Sequence, residues 1–348
     1  MKFFLIILGG LIFSIPFINL TWAVGEPDQL KRLLAEADNK NPTLRAAFEQ
    51  ISVAESMVGQ VTSLPDPVVS FSLSSYPIDE LRADITPMTG NEVRLAQKFP
   101  FPGKLDGKGK IAAEKSRWFA SAYQDSRLKI RQQVKDAWYL LLFQRQAIKL
   151  TKVNLDILDD FIVLTESRYK VGKGLQQNVL KAQLQHSKQM DKLLVLEQQQ
   201  EVTLAELNSL AGRDTNQQLE TAETLKPFKE TYTLGDLQAK AETNRPMFAA
   251  FDALIAQYKE QRTLAELDAR PDLTVWAGYR FRDDDLADGG TDFVSTGISF
   301  NLPIYRGRIS AAKAEADSLL RVAYQKRNDF HNNVKLSIHQ ALSKLDQA

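Results

Sequence analysis

A heptad repeat that runs out and back over residues 130–210 constrains this chain more than any other feature. On the outgoing arm Ile130, Val134, Ala137, Leu141, Gln144, Ile148, Thr151, Leu155, Leu158, Ile162, Thr165 and Tyr169 recur at alternating steps of four and three. That spacing holds one face of a slightly underwound helix against a neighbour over many turns. The returning arm keeps the rhythm at Leu175, Val179, Ala182, His186, Gln189, Leu193, Leu196, Gln200, Thr203, Leu207 and Leu210, with a more polar seam. Arms of about 40 residues extend roughly 60 Å at 1.5 Å per residue. Between them lies Arg168-Tyr169-Lys170-Val171-Gly172-Lys173-Gly174, whose glycines let the backbone reverse. Gly212-Arg213-Asp214 ends the return. A projecting coiled-coil hairpin is expected over about 105–211.

Upstream, residues 29–39 read as a short helix, and Leu44, Ala47, Phe48, Ile51, Ala54 and Val58 mark one face of another. Pro65-Asp66-Pro67 breaks it, and the period then changes from helical to alternating. Strands are expected over about 68–76 and 91–99, ended by Phe99-Pro100-Phe101-Pro102-Gly103-Lys104, where two prolines cannot donate to a ladder. After a linker over 214–233, the order returns. Asn244-Arg245-Pro246 echoes Asn41-Pro42, and Arg270-Pro271-Asp272 echoes Pro65-Asp66-Pro67. Strands are expected over about 273–282 and 293–302, and Pro303-Ile304-Tyr305-Arg306-Gly307-Arg308 stands where Pro100 to Lys104 stood. The chain reads as an internal duplication, a first repeat over 24–213 and a second over 234–348.

The second repeat is expected to be incomplete. At an offset of about 204 residues, its hairpin turn and return helix fall beyond Ala348, by about 70 residues in all. The outgoing helix from about 307 then has an unpaired seam that includes Leu319, Leu320, Val334 and Ile338. Exposure of those residues is expected to favour aggregation or proteolysis.

Composition narrows the chemistry. Lys2, the apolar run from Phe3 to Phe17 and Thr21-Trp22-Ala23 fit a signal peptide over 1–23, and the run is short for a retained spanning helix. Without Lys2 the mature chain has no formal net charge, which argues against nucleic acid as a partner. There is no cysteine, so disulfides, thiol catalysis and thiolate metal sites are excluded. The three histidines, His186, His331 and His339, form no metal motif, and no nucleophile elbow or phosphate loop occurs. No enzyme activity, cofactor or metal is expected. Asp283-Asp284-Asp285 with Asp288 lacks calcium-loop spacing and reads as a solvated loop rather than a cation site.

The strands have the length of bilayer-crossing strands, with one apolar and one polar face. Alternation alone also fits a soluble sheet on a core, but the rest of the chain is long helices that pair with each other. Tyr76, Phe99, Phe101, Tyr279, Phe281, Phe300 and Tyr305 lie at strand ends, as in an interfacial girdle. Four strands cannot close, and an open edge in lipid leaves backbone groups unpaired at several kcal/mol each. Two copies would give eight strands and three would give twelve, and only the larger ring leaves a useful lumen. Strand phase aims Glu92, Arg94, Lys98, Arg280 and Arg282 into that lumen and makes it mildly cationic, provided the register does not slip by one.

The layout resembles the TolC-like outer-membrane efflux proteins. The resemblance rests on the duplicated order, on Leu64-Pro65-Asp66-Pro67 and Ala269-Arg270-Pro271-Asp272 before strands, and on Gln97-Lys98-Phe99-Pro100-Phe101-Pro102-Gly103-Lys104. Gly297-Ile298-Ser299-Phe300-Asn301-Leu302-Pro303-Ile304 and the turn Arg168-Tyr169-Lys170-Val171-Gly172 complete it. It implies a mostly helical chain with transmembrane β-structure. A homotrimer would form a 12-stranded barrel in the outer membrane of a Gram-negative bacterium, continued by a periplasmic α-helical barrel. The resemblance further implies a passive exit duct for small molecules, metal ions or proteins, fed by an inner-membrane pump of RND or ABC type through a periplasmic adaptor. By the same resemblance Arg168, Tyr169, Gly172, Lys173, Gly174, Leu175 and Asn178 are candidate adaptor contacts, although the two glycines can equally serve the turn alone. The family's acidic constriction belongs to the second hairpin and has no counterpart before Ala348. Phe99 to Lys104 resembles the heavy-metal branch, with no metal cluster to support it. The competing reading is a non-conducting structural or adhesive coiled-coil protein of the cell surface.

Overall fold

The computed structural model describes residues 27–219 and 232–347, so the expected signal peptide and most of the linker lie outside it. Helices α1 (Asp28–Lys40) and α2 (Pro42–Thr62) precede strands β1 (Val68–Ser74) and β2 (Gly90–Phe99). Then come α3 (Lys104–Lys170), α4 (Gln176–Leu210), α5 (Leu234–Asn244) and α6 (Pro246–Leu267). Strands β3 (Leu273–Phe281) and β4 (Phe293–Phe300) follow, and α7 (Arg306–Gln347) completes the order. The sequence helix, strand, strand, helix therefore occurs twice.

The four strands form one antiparallel sheet in the order β1-β2-β3-β4, with β1 and β4 as free edges. The helices lie side by side in the matching order, α2 on α3, α3 on α6 and α6 on α7. Each strand is thus continued by a helix from the same part of the chain, and the join between the halves is made twice, by β2 with β3 and by α3 with α6.

Helix α3 is a single helix of 67 residues, roughly 100 Å long. Its first part packs on α2 and α6, and its second part packs on α4. The heptad seam is where the spacing puts it except at the tip, where Tyr169 and Leu175 are exposed because the chain reverses there and neither helix covers them. Val134, Ala137, Leu141, Gln144, Ile148, Thr151 and Leu155 of α3 are buried, as are Val179, Ala182, Thr203 and Leu207 of α4. Farther out Leu158, Ile162, Leu193 and Leu196 are half-buried. His186 pairs with Asp159 across the seam at 3.1 Å.

The densest core lies at the root of this hairpin. Leu30, Leu33, Leu34 and Ala37 of α1 pack against Val134, Ala137, Trp138, Leu141 and Leu142 of α3 and Leu204 and Leu207 of α4. Polar clasps fix the same place. Arg213 donates to both carboxylate oxygens of Glu36 at 2.7 Å, Arg127 and Arg131 share Asp38, and Asn41 caps α2 through the Thr43 and Leu44 amides while donating to the Leu210 carbonyl at 2.9 Å. In the second half Arg245 stands before the helix-starting proline where Asn41 stands in the first. It caps nothing there; its Nε donates to the buried Asp125 of α3 at 3.0 Å and its guanidinium lies over Phe330 of α7.

The seam of α7 is covered, not exposed. Exposure was expected for Leu319, Leu320, Val334 and Ile338, yet Val334 is buried and the other three are half-buried. The reason is that α5 and α6 cover the helix, with Phe330 edge-on to Phe248 at 5.0 Å. Strands β1, β3 and β4 are shorter than the pattern suggests, because pairing stops where the backbone turns, whereas β2 begins one residue earlier, at Gly90. Ser75 adopts a left-handed φ of 61° directly after β1, and β4 ends before Asn301, whose side chain accepts from the Asp272 amide.

Candidate functional site: the hairpin tip and the two faces of the sheet

At the far end of the hairpin, α3 stops at Lys170 and Gly172 takes φ 70°. The Lys173 amide donates to the Arg168 carbonyl at 2.9 Å and the Gly172 amide to the Tyr169 carbonyl at 3.0 Å. This is the glycine-terminated helix end in which two otherwise unpaired carbonyls are satisfied by the reversing chain. The same pair of bonds, from Arg213 to Asn208 and from Gly212 to Ser209, closes α4. Leu175 precedes α4, and the Asn178 amide donates to its carbonyl.

Arg168, Tyr169, Gly172, Lys173, Gly174, Leu175 and Asn178 therefore do come together. Arg168, Lys173, Gly174, Leu175 and Asn178 line a groove of about 410 Å³ that continues over Leu158, Phe161 and Ala182. Tyr169 and Gly172 lie outside that lining; Tyr169, like Leu175, is exposed at the tip. Among the described residues neither Arg168 nor Lys173 has an ion-pair partner. The end of the hairpin thus presents free cations beside uncovered apolar side chains.

The sheet separates its side chains by face, as the register dictates. Val69, Phe71, Leu73, Val93, Leu95, Val275, Tyr279, Val294, Ile298 and Phe300 share one face, and every one of them is exposed. An apolar sheet face of this size with no layer over it among the described residues is contrary to how antiparallel sheets meet water. The opposite face carries Ser70, Ser72, Glu92, Arg94, Lys98, Thr274, Trp276, Arg280, Ser295 and Ser299.

Charges on the polar face are compensated. Glu92 accepts from Arg94 at 2.7 and 3.0 Å and from Arg280 at 3.2 Å, and Arg280 also donates to Ser74. The Arg94 guanidinium stacks on Trp276 at 4.1 Å. That indole lies across β4 at Gly297, where an added Cβ would sit 2.5 Å from the ring. Lys98 lies at the other end of the strand and pairs with Asp272 at 3.0 Å. Arg282 is past the end of β3 and leaves the face altogether. Its side chain is 1% exposed, folded into the loop between β3 and β4, where it donates to both oxygens of Asp288 at 2.7 Å and lies over Phe293. The strand phase that grouped five charges on one surface thus brings Glu92, Arg94 and Arg280 together and sends Lys98 and Arg282 to separate acidic partners.

Those partners were missed in the sequence. Asp272 takes Lys98, the Lys104 ammonium at 2.8 Å and the Phe101 amide at 3.0 Å. Burial pushes its carboxyl up, but the bonds from Lys104, Phe101 and Lys98 outweigh that and hold it at about 2. The arginine beside Asp288 holds that carboxyl below the usual range. Asp272 is part of an echoed motif, Pro-Asp before a strand, which was the available signal. Among the described residues no cluster of His, Cys, Asp or Glu is arranged to hold a metal ion, and no helix is long and apolar enough to cross a membrane.

Comparison with known proteins agrees with this architecture. The fold is similar to the outer-membrane channel OprN, with a TM-score of 0.75 at 18% identity over 92% of this chain and 76% of that one. The outer membrane protein VceC of Vibrio cholerae gives a TM-score of 0.69 at 20% identity over 92% and 77%. The Campylobacter jejuni CmeC outer membrane channel gives 0.71 at 18% identity over 87% and 67%. No curated protein sequence matches the chain. The model of the outer membrane efflux protein family matches residues 33–213, more than half of the sequence. The chain belongs to the outer membrane efflux protein family.

Proposed function

We propose that this chain is one protomer of a homotrimeric exit duct, in which three four-stranded sheets close a 12-stranded barrel in the outer membrane of a Gram-negative bacterium. The observation that carries the reading is the sheet itself, with an exposed apolar face, a charged and polar face, and two unpaired edges. Lipid covers the apolar face, and ring closure satisfies the edges, whose unpaired amides and carbonyls would each cost several kcal/mol in hydrocarbon. Glu92, Arg94, Lys98 and Arg280 then line the water-filled interior, with Arg282 in its outer rim.

The helices continue the barrel into the periplasm. A second apolar row on α3, Phe143, Leu150, Ile157 and Leu164, lies outside the hairpin seam at heptad spacing and is exposed, which suits a neighbouring helix pair in a closed helical wall. The tip, with Arg168, Tyr169, Gly172, Lys173, Gly174, Leu175 and Asn178, is the contact for a periplasmic adaptor. Through that adaptor an inner-membrane pump, of RND or ABC type, delivers small molecules, metal ions or proteins. The chain performs no reaction and needs no cofactor. Purified oligomer added to planar bilayers tests this: discrete single-channel steps are expected, and a trimer that never conducts would favour the structural or adhesive reading instead.

A further inference from the structure

The intrachain join between β2 and β3 contains the information needed to write the join between β4 and the next copy's β1. Two observations fix the correspondence independently. The motif Pro65-Asp66 before β1 matches Pro271-Asp272 before β3, and Phe99-Pro100 after β2 matches Leu302-Pro303 after β4. Superimposing these motifs equates Val68 with Thr274 and Ala96 with Ser299, and the sheet pairs Val68 with Ala96 and Thr274 with Ser299. Motif and hydrogen-bond register therefore agree to the residue.

Resting on the closed-ring reading above, we infer that β4 joins β1 of the next copy in the register copied from β2 with β3. Since Leu95 pairs with Ala277, Ile298 pairs with Phe71 of the next copy. The run extends from Asn301 opposite Val68 to Ser295 opposite Ser74. This register has the correct parity. It sets Ser299 against Ser70 on the polar face and Phe300 against Val69 on the apolar one, whereas a slip of one residue would mix the faces. The order of the helices carries the same message, because α7 would meet α2 of the next copy as α3 meets α6 within the chain.

The ion pair at the intrachain join has a counterpart too. Asp272 is held there by Lys104, which follows Gly103. Asp66 occupies the place of Asp272, and matching Gly103-Lys104 to Gly307-Arg308, with one extra residue after Pro303 in the second copy, puts Arg308 in the place of Lys104. Both are exposed, and among the described residues neither has a side-chain partner. Across the seam Arg308 meets Asp66 of the next copy.

The chain has no cysteine, so disulfide mapping needs no background removal. Membranes from cells expressing the full chain with Phe71→Cys and Ile298→Cys are oxidised and separated without reductant. The expected product is a covalent ring of three copies. The slipped pairs, Val69→Cys or Leu73→Cys with Ile298→Cys, should yield about tenfold less, because their Cα atoms lie beyond disulfide reach. A slipped pair that links as well or better overturns the register while leaving the ring intact. Failure of all three pairs to link copies overturns the ring itself. For the ion pair, Asp66→Lys should lower the recovered oligomer several-fold, and adding Arg308→Glu should restore it. Rescue by Arg306→Glu in place of Arg308→Glu would overturn that assignment.

Discussion

Lys104 and Asp272, 168 residues apart in the chain, meet at 2.8 Å with both side chains almost withdrawn from water. The contact locks the start of α3 to the start of β3, at the level where the sheet gives way to the helices. Its carboxylate also receives the Phe101 amide and Lys98, so one residue ties both halves of the chain together.

Acid should therefore loosen this join. A carboxyl held at about 2 in the folded chain, against an ordinary 3.8, contributes stability that is complete above about pH 4 and is lost as pH falls toward 2. The contribution is on the order of 2 kcal/mol. Asp272→Asn should lower the thermal midpoint at neutral pH and flatten its dependence on pH over that window, as followed by circular dichroism in detergent.

The two glycine-ended helices separate conformational strain from crowding. A Cβ added at Gly172 meets nothing within 4 Å, whereas one at Gly212 would lie 2.8 Å from the Lys40 carbonyl oxygen. Gly172→Ala should cost about 1 kcal/mol from its positive φ alone. Gly212→Ala should cost clearly more and should loosen α1, which hydrogen exchange at the Leu30 to Ala37 amides would register.

Glu92 is the one carboxylate between Arg94 and Arg280 on the polar face. Glu92→Gln keeps the shape and removes the charge, leaving two cations uncompensated in the proposed lumen. Reversal potentials in a salt gradient should shift toward anion preference.

At the root of the hairpin Leu207 is wholly buried among α1, α3 and α4. Leu207→Ala should destabilise the chain by about 2–5 kcal/mol. Limited proteolysis should then cut first near α1 and the α4 end, ahead of the strands.

Much of this was legible because it rests on periodicity. The alternation of Val69, Phe71 and Leu73 with serines gave the faces of β1, and the heptads gave most buried positions of the hairpin from Val134 to Leu207, Trp138, Leu142 and Leu204 excepted. What was not legible was the pairing of elements far apart in sequence. Nothing local to Val334 says that α5 and α6 cover it, and nothing local to Arg282 says that it turns into its own loop to meet Asp288. Lys98 and Arg94 look alike in strand phase; only the approach of Asp272 distinguishes them. Trp138, at the centre of the clasp with α1, falls next to the seam residue Ala137 and becomes visible only when α1 is seen to pack there.

Single cysteines along β4 test most directly whether the sheet stands in lipid on one face and in water on the other. In membranes, Ser295→Cys and Ser299→Cys should react with a water-soluble maleimide. Val294→Cys and Ile298→Cys should resist it, and labels placed there in detergent should be quenched by lipid-borne quenchers after reconstitution. Equal reactivity on both faces, or protection of the serine positions instead, would contradict the account.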